Sequence, residues 1–199
     1  SATKSPYAFK DAVYQTLIKL CVDICKRNGM KFGIWFEPEM ISENSRLYRE
    51  HPDWCIHSPG RAPVESRNQL VLDMARSEVV DCIYNQISAM LSKYDISYVK
   101  WDMNRNITDN GSASLPAEAQ GEHTHRYILG VYSLMKRLTE NYPGVLFEGC
   151  AGGGGRFDFG ILYYMPQIWT SDDTDAMERL DIQLGTSMVY PASSMSCHV

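Results

Sequence analysis

Four short apolar runs in this chain end alike, in carboxylates, three of them beside a tryptophan, and that repetition limits the possible fold more than any other feature. Residues 31–36 run into Trp35-Phe-Glu37-Pro-Glu39, and residues 96–102 into Lys100-Trp-Asp102-Met-Asn104. Residues 145–150 end in Glu148-Gly-Cys150-Ala-Gly152, and residues 167–171 lead into Trp169-Thr-Ser-Asp172-Asp173-Thr-Asp175. Each run has the length of a buried strand. Helical spacings lie between them: Val13, Leu17, Leu20 and Ile24; then Val80, Ile83, Ile87 and Met90; then Ile128, Val131, Met135 and Leu138. Asn28-Gly29 supplies a stop for the first helix, and residues 174–184 read as the last one. Residues 69–73 are a weaker strand candidate, and a polar loop follows Asn104 as far as Gly121.

Alternating strands and helices predict a parallel sheet with helices packed outside it. Two architectures share that alternation. A doubly wound sheet draws its ligand residues from one or two strand ends at the switch point, whereas a (β/α) barrel draws them from many C-terminal strand ends. Four ends furnished alike favour the barrel. No repeat or linker divides the chain.

Composition removes several function classes. Among 199 residues, 24 are acidic and 19 basic, a net charge of −5 that gives no electrostatic reason to bind nucleic acid or an anionic membrane. No apolar run approaches the roughly 20 residues that span a bilayer. The first residues, SATKSPYAFK, lack the pattern of a secretory signal. Six cysteines occur without a C-x-x-C pair, which reads as reduced thiols in a reducing, cytoplasmic setting.

The residue types point to sugar chemistry. Tryptophan faces pack on the C–H face of a sugar ring, and carboxylates bond its hydroxyls. Glycoside hydrolysis needs two carboxyl groups, and Asp102 and Asp172 lie at the ends of different strands. Each has a plainer reading. The cluster from Asp172 to Asp175 suits a helix N-terminus, and Glu37 and Glu39 can simply brace a proline loop. The glycines from 152 to 155 are not followed by Gly-Lys-Ser/Thr, so a phosphate loop is not expected. His123 and His125 lack a ligand spacing, and no metal is expected. A carboxylate-rich metallohydrolase would be the competing reading, recognised by loss of activity with chelator.

The motifs KFGIWFEPEMIS, RNQLVLD, YVKWDMNR, EGCAGGGGRFD and QIWTSDDTDAMERLDIQ, in this order, resemble the bacterial α-galactosidases of glycoside hydrolase family 36. The resemblance runs from about Leu17 to the C-terminus, leaving residues 1–16 unmatched and 17–199 as a partial catalytic domain. It implies an α/β fold, an incomplete (β/α)8 TIM barrel holding roughly strands three to six. The chain ends about where a seventh strand would begin. It also implies a retaining exo-glycosidase that takes terminal α-galactosides of the melibiose and raffinose type and needs no cofactor or metal. A homo-oligomer is expected for the full-length enzyme.

Carried over by motif, Asp102 is the nucleophile and Asp172 the general acid/base. Arg67, Lys100 and Asn104 would bond galactose hydroxyls, Cys150 and Gly152 would shape the pocket at the axial hydroxyl, and Trp35 and Trp169 would wall it. Asp173 stands where the family commonly has Asn. Its extra carboxylate either enters the site or serves the following helix. The family's two earlier strands, their paired aspartates and a β-sandwich domain have no counterpart here, so a larger enzyme is expected around this chain. An α-N-acetylgalactosaminidase or a galactosyl transferase would use the same scaffold. A galactoside-binding remnant or an inactive fragment would share the motifs without turnover.

Overall fold

The structure is a computed structural model that describes residues 6–196, with side chains from residue 12 onward. The chain runs α1 (Pro6–Arg27), β1 (Phe32–Phe36), β2 (Met40–Ile41), α2 (Arg46–Glu50), β3 (Leu70–Val71), α3 (Ser77–Lys93) and β4 (Ile96–Asp102). There follow α4 (His123–Asn141), β5 (Leu146–Cys150), α5 (Phe159–Tyr164), β6 (Gln167–Trp169), α6 (Ala176–Ser187) and β7 (Met195–Ser196). Short 3-10 segments cover Pro52–Trp54, Ala117–Glu122 and Ala192–Ser194. The first helix stops as expected, with Gly29 at φ 66°.

Five strands pair in parallel in the order β1-β4-β5-β6-β7. Each strand joins on the same side as the last, with at least one helix in every crossover. A doubly wound sheet would reverse direction at its switch point. This one does not. It is an open arc of a (β/α)8 barrel. All four expected strands are present, and β7 adds a fifth.

Residues 69–73 do not join that sheet. Leu70–Val71 pairs antiparallel with β2 as a separate two-stranded ribbon, and Gln69 and Leu72 on either side make single antiparallel bridges to Ser66 and Cys55. A left-handed turn at Arg67 and Asn68 precedes it, and Asp73 is already committed elsewhere. The fully buried Asp73 carboxylate faces His123 Nε2 at 2.9 Å and accepts a bond from Ser112 Oγ. That cluster fastens the loop after β4 to the start of α4, and gives His123 a structural partner.

Alternation along the strands separates two faces. Val99, Trp101, Phe147 and Ile168 join one buried cluster with Val80, Ile83 and Ile87 of α3 and Val131, Leu134 and Leu138 of α4. Burying each such aliphatic side chain contributes about 1.5–3 kcal/mol, so the helix spacings read from sequence correspond to a real core. The exception is α1. Val13, Leu17, Leu20 and Ile24 are 42, 50, 49 and 41% exposed. A helix between two barrel strands buries its stripe against both, and β1 is the outermost strand on this side.

Glu39, in the loop after β1, is fully buried. It accepts bonds from Trp101 Nε1 (2.8 Å), Tyr127 OH (2.8 Å) and Arg156 (2.8 and 3.0 Å). Burial first, and then the Glu39 charge, hold the Tyr127 hydroxyl well above its usual range. One carboxylate thus ties β4, α4 and the glycine loop together, the bracing role the sequence allowed. Glu39→Ala leaves the Arg156 charge buried without its partner, and should cost about 3–5 kcal/mol of stability in urea unfolding. A loss within 1 kcal/mol would contradict that role.

Candidate active site

The face opposite the helices carries the polar strand ends. Register aligns Trp35, Lys100, Glu148 and Gln167 across four strands, and Asp102 with Cys150 one step further on. Asp102, the last residue of β4, is only 7% exposed. Its two oxygens differ. Oδ2 accepts bonds from Trp35 Nε1 (3.1 Å) and Asn104 Nδ2 (2.7 Å), while Oδ1 is buried with no hydrogen-bond partner. Burial and the neighbouring Asp102 charge push the Cys150 thiol up to about 11, so it is a neutral wall at neutral pH.

Lys100 Nζ lies 3.9 Å from Glu148 Oε1 and 4.2 Å above the centre of the Trp169 ring. The other Glu148 oxygen accepts a bond from Ser196 Oγ, and burial together with Glu148 raises the Tyr98 hydroxyl above its usual range. Trp169 in turn donates its indole N–H to Asp172 Oδ1 at 2.8 Å. Asp172 is exposed on the same face. Behind it, buried Arg179 of α6 donates to Thr170 Oγ1 (2.8 Å) and the Ser171 carbonyl (2.7 Å), fixing the segment that carries Asp172.

The acidic cluster divides its work. Asp175 is the N-cap of α6, accepting from Met177 N (2.9 Å) and Glu178 N (3.3 Å). Asp173 accepts from Asp175 N at 2.9 Å, so its carboxylate serves the helix start. An asparagine carbonyl can accept the same bond. Asp173→Asn should therefore leave both the helix and the pH–rate profile of the complete protein unchanged. A displaced profile would show that the Asp173 charge reaches the site.

The glycines bring the remaining loop close. Gly152 has φ 57° and donates its N–H to Asn104 Oδ1 at 3.0 Å. A Cβ at Gly153 would lie 2.7 Å from Ser171 Cα, so only glycine lets this loop rest against the Asp172 segment.

Arg67 is placed differently. It sits exposed at the tip of a two-residue hairpin, with φ 56° at Arg67 and 57° at Asn68, and Ser66 and Gln69 exchange backbone bonds of 3.1 and 3.0 Å. Buried Arg105 braces this turn by donating to the carbonyls of Val64 (2.7 Å), Ser66 (3.3 Å) and Gln69. Gln69 Nε2 then reaches Glu37 Oε2 at 2.9 Å. The structure thus sets Trp35, Asn104 and Cys150 against Asp102 and Trp169 against Asp172, brings in Lys100 through Trp169 and Gly152 through Asn104, and leaves Arg67 on its hairpin. The parts not anticipated are Gln69, Arg105 and Arg179. All three lie in the quoted motifs, but nothing in the motifs names their partners: Arg105 bonds backbone carbonyls 36 to 41 residues away, and Arg179 bonds Thr170 and Ser171 across the turn into α6.

Parallel strands added in chain order, with carboxylates and tryptophans at their C-terminal ends, define a segment of a (β/α)8 barrel with its site on that face. The melibiase family model matches residues 7–199. The α-galactosidase AgaA of Geobacillus stearothermophilus is 60% identical over 171 residues, which are 86% of this chain and 24% of that protein. The α-galactosidase Mel36A of Lactobacillus acidophilus is 58% identical over 177 residues, 89% of this chain and 24% of its own. The crystal structure of AgaA superposes with a TM-score of 0.89 at 56% identity, covering 92% of this chain and 25% of that one. Variants of AgaA have been solved in complex with raffinose and with stachyose. The chain belongs to the melibiase family. It spans about a quarter of the length of the curated relatives it matches.

Proposed function

We propose that this chain is the centre of the catalytic barrel of an α-galactosidase. The complete protein would hydrolyse terminal α-galactosides of the raffinose type with retention of configuration. The observation that carries this reading is the asymmetry of Asp102: one oxygen is locked by Trp35 and Asn104, and the other is buried and unpartnered. A nucleophile needs that arrangement, a fixed orientation with one lone pair left for the anomeric carbon. The names of the relatives, and the raffinose and stachyose bound by AgaA variants, support the substrate class.

In this reading Asp172 gives its proton to the glycosidic oxygen as that bond breaks, and Asp102 Oδ1 forms a bond to C1 of galactose. Asp172, now ionised, takes a proton from water, the water oxygen bonds to C1, and Asp102 is released. Lys100, held between Glu148 and Trp169, would meet sugar hydroxyls, and Trp35 and Trp169 would wall the ring. Arg67 would reach the sugar from its hairpin. The free cysteines among the described residues suit a reducing cytoplasm.

The test follows hydrolysis of p-nitrophenyl α-galactoside by the complete protein, using NMR before mutarotation. Galactose released first as the α-anomer supports the reading. Release first as the β-anomer, or no release from folded protein, overturns it.

A further inference from the structure

We propose that Glu37 is a positioning residue for the Asp102 nucleophile and acts through Asn104, an inference that rests on the assignment of Asp102 above. Asn104 Nδ2 lies 2.7 Å from Glu37 Oε1 and 2.7 Å from Asp102 Oδ2, while its Oδ1 accepts the Gly152 N–H at 3.0 Å. Those partners fix which end of the amide is nitrogen. Turned over, Asn104 would set its oxygen against two carboxylate oxygens and its NH2 against an N–H. Both amide hydrogens are therefore spent inside the protein. Toward a sugar hydroxyl, Asn104 retains only the second lone pair of Oδ1, so it can accept from substrate but not donate to it.

Glu37 makes this lock charge-assisted, and its own second oxygen is held in turn. Gln69 Nε2 bonds Glu37 Oε2 at 2.9 Å, and Arg105 holds the Gln69 carbonyl. A relay thus runs from Arg105 through Gln69, Glu37 and Asn104 to one oxygen of Asp102, leaving the other to react. Glu37 does not touch Asp102 itself. Its effect is to keep the nucleophile aimed. Sequence placed Glu37 on the same face as Trp35, two residues before it, but gave no partner for it.

The experiment compares Glu37→Ala, Glu37→Gln, Asn104→Ala and the Glu37→Ala/Asn104→Ala double variant in the complete protein. The readouts are turnover of p-nitrophenyl α-galactoside and calorimetric binding of galactose. Glu37→Ala should lower kcat about 30- to 100-fold, the scale of a misplaced reacting group, with galactose affinity nearly unchanged. Glu37→Gln should restore kcat to within about fivefold of the parent protein. Its amide oxygen can still take the Asn104 bond, and Gln69 Oε1, now buried without a partner, can turn to accept from its NH2. On the Asn104→Ala background, Glu37→Ala should cost almost nothing further.

An unchanged kcat in Glu37→Ala, a parallel loss of galactose affinity, failure of Glu37→Gln to restore kcat, or multiplicative effects in the double variant would each overturn the proposal. Should Glu37→Ala fail to fold, Gln69→Leu releases the far oxygen of Glu37 and is expected to lower kcat about tenfold; an unchanged kcat there overturns it equally. Asp102→Gly, measured alongside, separates the two levels. If it stays active, the nucleophile assignment falls. If it is inactive beside a fully active Glu37→Ala, only the role of Glu37 falls.

Discussion

Asp102→Gly should lower turnover of the complete protein by about 10⁴-fold or more, the largest effect of any single change in this chain. The side chain lost is the one whose Oδ1 is buried and unpartnered at the end of β4. Trp35 and Cys150 are held in β1 and β5, and Asn104 by Glu37 and Gly152, so the space vacated should admit a small anion. Added azide should then recover part of the rate by attacking C1 directly from the side that Asp102 occupied. The product of that single inversion is β-galactosyl azide. A variant that retains full turnover would show that another group attacks C1.

The second large effect belongs to Asp172→Ala, and it depends on the substrate. Raffinose has a leaving group that needs a proton, so its kcat/KM should fall about 10²- to 10⁴-fold, the usual worth of general acid catalysis. The p-nitrophenoxide group leaves without help, so the first step survives and the galactosyl-enzyme accumulates, giving a burst followed by slow turnover. Azide intercepts that intermediate in a second inversion, yielding α-galactosyl azide. The opposite stereochemistry of the two azide products distinguishes the roles of the aspartates in one pair of experiments. Equal losses on raffinose and on the p-nitrophenyl substrate would contradict the acid/base assignment of Asp172.

Local pattern reveals part of this architecture and hides the rest for physical reasons. Helices α3 and α4 were legible because each buries a face whose period matches its geometry, and strands β4 and β5 because each is a short apolar run with little exposure on either face. Lys100 and Asp102, two apart on a strand, share a face by the same rule. The ribbon of β2 and β3 was not legible as such. Two-residue strands carry no period, and the turn at Arg67 and Asn68 contains no glycine to announce its positive φ. In α6 the expected pattern is inverted: Met177, Leu180 and Leu184 are exposed, while Arg179 is buried because it bonds Thr170 and Ser171 beneath the site. Hydrophobicity cannot show that, since the stabilisation of Arg179 comes from two acceptors in another element. Asp173 shows the opposite case, a departure from the family pattern that geometry turns into an ordinary backbone bond.

The central claim is that Asp102 forms a covalent bond to galactose, and trapping that bond tests it most directly. The complete protein would be treated with a fluorinated galactosyl fluoride, whose good leaving group permits the first step and whose ring fluorine slows the second. Mass spectrometry of the digested protein should then find a fluorogalactosyl ester on Asp102. A label on a different residue, or complete hydrolysis of the reagent with no ester formed at any time, would contradict the account.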